Sequence, residues 1–175
     1  FDARPPDTVI SALVIHAISM PPGEFGGADI ERLFCNSLDF NCHPFYREID
    51  GITVSAHLLI RRDGEVVQFV PFQARAWHAG ASMLDGRARV NDFSIGIEME
   101  GSDHAPFEEA QYRALVEVTR ALRAAYPGIT PQRIVGHADI APERKTDPGP
   151  YFNWPRYRRT LARTRANSSA MWKGF

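Results

Sequence analysis

The 175-residue chain is poor in cysteine, holding only Cys35 and Cys42. Two thiols cannot staple a disulfide scaffold, and their spacing matches no Cys-type zinc site. An excess of either charge is also missing. Twenty Lys+Arg stand against 21 Asp+Glu, for a formal net charge of −1, which argues against a partner held mainly through phosphate electrostatics, so no nucleic acid is expected. No apolar run approaches the roughly 18–20 residues of a membrane span, and no membrane partner is expected. A Gly-x-Ser-x-Gly elbow and a Walker-type glycine loop are both absent, leaving serine-hydrolase and nucleotide chemistry without support. Repeats, low-complexity tracts and linkers are missing as well. With 44% hydrophobic and 23% charged residues, residues 1–175 read as one globular domain large enough to fold without staples.

What is present alternates between strand-like and helix-like stretches. Thr8–His16 is a nearly unbroken, β-branched apolar run, which predicts a central strand buried on both faces. Pro21 and Pro22 stop it, since proline neither donates to a ladder nor continues a helix. Ile30, Leu33, Phe34 and Leu38 are spaced for a short amphipathic helix over Ala28–Leu38, and Asp39–Gly51 reads as loop. Thr53–Ile60 and Glu65–Val70 form a predicted hairpin around Asp63-Gly64. Trp77–Asn91 is polar and glycine-spotted, a surface loop of the kind that carries function. Phe93–Glu100 is a further strand.

Glu108–Tyr126 is the longest helix, with Tyr112, Leu115, Val116, Thr119, Leu122 and Tyr126 on one face, acids at its start and Pro127-Gly128 after its end. Arg133–His137 is a short strand, and Asn153 caps a last helix over Trp154, Tyr157 and Leu161. Hairpins mixed with three helices predict an α/β or α+β sheet covered by helices.

Chemistry gathers at three points. His16 closes the first strand, where ligands commonly bind in sheets of this kind, although a strand-end histidine can equally be a buried hydrogen-bonding residue. His137 repeats the arrangement, and Asp147 follows ten positions later, its backbone restricted by Pro148. Two neutral imidazoles and a carboxylate suit a catalytic zinc with one open position; an Asx turn is the alternative for Asp147. The third point is Ser94–Glu100. One face carries Ile95, Ile97 and Met99, the other Ser94, Gly96, Glu98 and Glu100. Either that second face is a solvated sheet edge, or the glycine makes room for something on which the acids work. Glu98 is then the candidate general base, and Lys145, two residues before Asp147, is the candidate oxyanion partner if Asp147 ligates a metal and a plain surface lysine otherwise. His57, within the Thr53–Ile60 strand, reads first as a hydrogen-bonded core residue or a support to the ligands, and is the main rival for a metal position. His78, on the long loop, suits contact with a sugar or peptide, His43 beside Cys42 has nothing to orient it, and His104 reads as exposed.

Ordered blocks then bear a family resemblance. Val14-Ile15-His16 with Ile18–Gly27, Val54–His57, Arg75–Gly80, Asn91–Gly101 and Gly136–Gly149 resemble, in order, the blocks of the AmpD-type N-acetylmuramoyl-L-alanine amidases of bacterial cell-wall recycling. The similarity runs from the first strand to Trp154. It implies the fold shared with peptidoglycan recognition proteins, a central mixed sheet flanked by helices. It implies a Zn2+ cofactor on His16, His137 and Asp147, with catalytic roles for Glu98 and Lys145, and it moves His57 out of the metal site. The implied substrate is a small anhydro-muropeptide, cut between (1,6-anhydro-)N-acetylmuramic acid and L-alanine. Arg89 and Arg144 would clamp stem-peptide carboxylates and Trp77 would stack on the muramic ring.

The chain departs from the family at Ala17, where members carry Asn, and at Phe45-Tyr46, which appears there as Tyr-Phe. A monomeric cytoplasmic enzyme is expected, although residue 1 is Phe. An exported amidase acting on intact wall and a non-catalytic muropeptide-binding module are the competing readings; five retained catalytic and metal residues argue against the module.

Overall fold

The computed structural model describes residues 1–163. A five-stranded mixed sheet, ordered β4-β3-β8-β2-β9, organises them. Its strands are β2 (Ala12–Ile18), β3 (Leu58–Ile60), β4 (Val66–Gln68), β8 (Ser94–Glu100) and β9 (Ile134–Gly136). β2 runs parallel to β8 and β9, β3 runs parallel to β8, and only β4 is antiparallel, as the hairpin partner of β3. Two small ribbons complete the strands: β1 (Asp2–Ala3) with β5 (Ala74–Arg75), and β6 (Met83–Leu84) with β7 (Arg87–Ala88). The helices are α1 (Asp29–Phe34), α2 (Pro44–Glu48), α3 (Glu109–Ala125), α4 (His137–Ile140) and α5 (Trp154–Ala162).

The apolar first run is continuous because β2 has a strand on each side and a packed layer on each face. It is shorter at its start than its composition suggests: the neighbouring β8 begins at Ser94, so the ladder opens at Ala12. It reaches past His16 to Ile18, because β8 still offers Met99 and Glu100 as partners. The alternation of β8 sorts its residues. Ile95, Ile97 and Met99 join Leu13 and Ile15 in the main core beneath α3 and α5. Ser94, Gly96, Glu98 and Glu100 face the other way, and all seven residues of β8 are buried. A solvated edge is therefore excluded for Glu98 and Glu100, since β8 is the middle strand.

On the first face α3 presents Tyr112, Leu115, Val116 and Leu122 to the sheet. Glu108 and Gln111 close a capping box at its start. Asn153 caps α5 by accepting from the Arg156 amide, 2.9 Å. Buried polar groups on α3 are all partnered: Thr119 and Tyr157 hydroxyls meet at 2.8 Å, and Gln111 donates to the Ile60 and Glu100 carbonyls. On the opposite face a smaller cluster of Ala12, Val14, Ala79, Leu84, Val90, Phe93, Val135 and Ile140 supports the loop 77–91. That loop contains the β6–β7 ribbon, and the segment 39–51 contains α2, whose five residues are too few for a periodic signal. His43 caps α2, its Nδ1 accepting from the Phe45 amide.

Candidate metal and active site

Register brings the first two site residues together. Parallel pairing sets His16 of β2 opposite Glu98 of β8, on the face away from α3. His137 follows directly after β9, at the start of α4, so the C-terminal ends of three neighbouring parallel strands meet at one place. The chain then loops back, and the Ala138 amide donates to the Asp147 carbonyl at 2.9 Å, fixing the segment that carries the carboxylate. His16 Nδ1 lies 3.0 Å from His137 Nδ1, and each lies 3.1 Å from Asp147 Oδ2. Among the described residues this is the group of three His, Cys, Asp or Glu ligand atoms that could hold a metal ion.

The donor chemistry fits a cation. His137 Nε2 faces the Ala79 carbonyl at 3.2 Å, and a carbonyl is satisfied only by N–H. A neutral ring with its proton on Nε2 presents a bare lone pair at Nδ1. That lone pair points at Asp147 Oδ2, also an acceptor, and at His16 Nδ1. Three acceptors in mutual contact repel unless a proton or cation sits among them. Tetrahedral zinc with bonds of about 2.0–2.1 Å sets its donors roughly 3.3 Å apart, close to the spacing here.

Electrostatics favours the ligating forms. Burial pushes the His16 imidazole down to about 4, against the Asp147 hydrogen bond that raises it. Burial works to raise Asp147, but the close approach of the His137 and His16 rings outweighs that and holds it below the usual carboxylate range. Glu98 is the opposite case. Burial first, then the Asp147 charge, pushes it well above the ordinary value, with Lys145 pulling back. Its Oε2 is buried with no hydrogen-bond partner among the described residues. An orphan carboxylate oxygen is costly; Glu98 is one wall of a cavity of about 210 Å³ that His16, His137, Asp147 and Lys145 also line. Ala17, Phe34, Val54, Ser55 and Trp77 complete most of that wall.

The structure thus gathers His16, His137, Asp147, Glu98, Lys145 and Trp77 around one cavity. Arg89 and Arg144 do not line it. The Arg144 guanidinium donates to the Ala79 and Ala81 carbonyls at 2.8 and 2.9 Å, and Arg89 pairs with Asp92 while remaining largely exposed. His57 is not one of the three ligands: its Nδ1 accepts from the Gly96 amide and its Nε2 faces the Ala74 carbonyl. Glu100 is built into the fold, accepting from the Gly26 and Arg62 amides.

His78 is a residue whose role loop composition conceals. It is buried, its Nδ1 lies 2.9 Å from His16 Nε2, and its Nε2 lies 3.1 Å from Ser94 Oγ. The signal for it was Gly96. A Cβ there would strike the His78 ring, standing 2.6 Å from Nδ1 and 2.7 Å from Cδ2.

The N-acetylmuramoyl-L-alanine amidase family model matches residues 6–150. The 1,6-anhydro-N-acetylmuramyl-L-alanine amidase AmpD of Escherichia coli K12 is 58% identical over 158 residues, 90% of this chain and 86% of its own. Among solved structures, the crystal structure of a Se-Met AmpD derivative superposes with a TM-score of 0.88 at 57% identity, covering 91% of this chain and 88% of that one. The E. coli amidase AmiD, solved with anhydro-N-acetylmuramic acid-L-Ala-D-gamma-Glu-L-Lys, matches at a TM-score of 0.65 and 33% identity over 89% of this chain and 60% of its own.

Proposed function

The chain belongs to the N-acetylmuramoyl-L-alanine amidase family, and from that premise we propose that it hydrolyses the amide between 1,6-anhydro-N-acetylmuramic acid and the L-alanine of the stem peptide, as a zinc enzyme of peptidoglycan recycling. One observation carries the chemistry: His16 Nδ1, His137 Nδ1 and Asp147 Oδ2 converge within 3.1 Å on a cavity also lined by Glu98, whose Oε2 is buried and unpartnered among the described residues. The substrate assignment rests on the AmpD relatives.

His16, His137 and Asp147 would hold the ion. When bound, zinc supplies Lewis acidity, polarising a carbonyl and acidifying water towards pKa about 7. Glu98 takes the proton of the attacking water and returns it to the departing L-alanine amine. Its raised pKa suits the second half of that task, and the nearby Lys145 charge favours the ionised form for the first. Lys145 stabilises the oxyanion that forms on the lactyl carbonyl. Trp77, at the cavity wall, stacks on the muramic ring. Arg144 serves substrate indirectly, by pinning the loop that carries Trp77. Arg89, on the exposed side of the same loop, remains the clamp for stem-peptide carboxylates.

We read residues 1–175 as one amidase domain acting as a monomer in the cytoplasm. Cys35 and Cys42 are both free and exposed, which suits a reducing compartment. Among the described residues no helix is long and apolar enough to cross a membrane.

The test measures peptide release from anhydromuramyl-peptide and from intact sacculi, with and without a chelator. Chelator-sensitive release, faster from the soluble fragment, is expected. Faster release from sacculi would replace the recycling role with that of an exported amidase, and no release from either would leave a binding module.

A further inference from the structure

We propose that His78 is a positioning residue for the metal centre: it accepts a hydrogen bond from His16 Nε2–H at its own Nδ1 and passes its Nε2–H to Ser94, locking His16 in the tautomer and ring orientation that aim Nδ1 at the ion. The inference rests on the metal-site reading above but adds a chain of hydrogen bonds that the three ligands do not contain.

A cation held by the three ligands fixes the direction of the chain. If His16 Nδ1 presents a lone pair to the cluster, a neutral ring carries its proton on Nε2. Nε2 lies 2.9 Å from His78 Nδ1, so Nδ1 is the acceptor. His78 then carries its proton on Nε2, which lies 3.1 Å from Ser94 Oγ, an oxygen able to accept. Reversing any one link would put two protons or two lone pairs face to face.

The surroundings hold His78 where that chain needs it. Asn91 Oδ1 accepts from the backbone amides of both His78 and Ala79, at 3.2 and 2.8 Å. One residue upstream, Trp77 exchanges two hydrogen bonds with Ser55. The ring meets His16 edge-on, with centroids 5.0 Å apart and planes at 81°, and it fills the notch left by Gly96. The same short loop also backs the second ligand, through the Ala79 carbonyl on His137 Nε2. Two successive residues, one by side chain and one by backbone, therefore orient both imidazoles. Partners of this kind fix a ligating histidine and raise its basicity, and losing one costs about 10–100-fold in metal affinity.

Two substitutions separate hydrogen bonding from packing. His78→Phe keeps a ring in the notch but accepts nothing, whereas His78→Asn places an amide oxygen near the Nδ1 position. Zinc affinity is measured by competition with a chromophoric chelator, and the coordination geometry from the visible spectrum of the cobalt-substituted protein. His78→Phe is expected to weaken zinc by about 10–100-fold and alter the cobalt bands, with His78→Asn recovering most of the affinity. Unchanged affinity and spectrum in His78→Phe would overturn the proposal, as would equal loss in both variants. Should His78→Phe fail to fold, Ser94→Ala decides: weaker zinc binding at unchanged Tm supports the chain, unchanged binding refutes it. A wild-type chain that binds no zinc would instead overturn the metal-site reading itself.

Discussion

Gly96→Ala puts a methyl group where the His78 ring already stands. In an exposed strand interior the exchange would help, because glycine there is worse than alanine by roughly 0.5–1 kcal/mol. Here the new Cβ would lie 2.6 and 2.7 Å from the ring's Nδ1 and Cδ2, with Cγ closer still. Ordinary carbon contacts begin near 3.5 Å, so the ring has to withdraw by about 1 Å. The loop cannot simply carry it away, since Asn91 and Ser55 hold the backbone on either side. Overpacking of this size costs about 1–3 kcal/mol, and losing the 2.9 Å bond to His16 adds about 1 kcal/mol. The clash wins, for a net loss of about 1–3 kcal/mol. At about 2–4 °C per kcal/mol for a chain of this length, Tm should fall by roughly 2–12 °C.

Thermal unfolding of the metal-free protein reads this directly, and a double-mutant cycle identifies the cause. His78→Ala alone leaves a cavity and an unpartnered His16 nitrogen. Combined with Gly96→Ala, the methyl occupies part of the vacated space. The double variant should therefore be more stable than the sum of the singles by at least about 1 kcal/mol. Additivity within about 0.5 kcal/mol, or a Tm raised by Gly96→Ala, would refute the steric argument.

Glu98→Gln keeps the shape of the buried side chain while removing the proton acceptor; kcat should fall by about 10²–10⁴ with zinc content unchanged, and a loss of less than tenfold would remove Glu98 from the base role. Ala17 lines the cavity beside His16, so Ala17→Asn should change KM more than zinc content in parallel kinetic and metal analyses; an equal change in both would contradict a substrate-contact role. Acid should destabilise the metal-free protein through His57, whose burial lowers its pKa from 6.5 to about 4. Because the folded value is the depressed one, the unfolded chain binds the extra proton, and the contribution is complete above pH 6.5 and lost as pH falls towards 4. It amounts to at most roughly 3 kcal/mol, at about 1.4 kcal/mol per pH unit. Denaturant titrations of wild type and His57→Gln between pH 7 and 4.5 check it, since the variant should lose that slope and an identical slope would exclude His57.

The features legible in the sequence are those encoded by short-range periodicity. The apolar run of β2, the alternating faces of β8, the helical face of α3 and the Asn153 cap each sit within a window shorter than 20 residues. The misjudged boundaries share a physical cause in tertiary pairing. β2 opens at Ala12 because its partner begins at Ser94, and no composition within Thr8–His16 contains that information. The same holds for Glu98. Its pattern fits a wet edge as well as a working carboxylate, and only the strand order, which puts β8 in the middle of the sheet, distinguishes them.

His78 marks the outer limit of such reading. It sits in a polar, glycine-spotted stretch that resembles any surface loop, and the histidine it contacts is 62 residues away. What betrays it lies elsewhere, in the odd composition of one face of β8. A buried face bearing two acids and a glycine makes sense only if something stands against the glycine, and that something is the His78 ring. A missing Cβ on a central strand is thus evidence about another element, and Gly96 and His78 are one feature divided between two segments. The cycle of Gly96→Ala with His78→Ala consequently tests that division: coupling between the two would mean that the place of the His78 ring, which stands against His16, is written partly in a residue with no side chain.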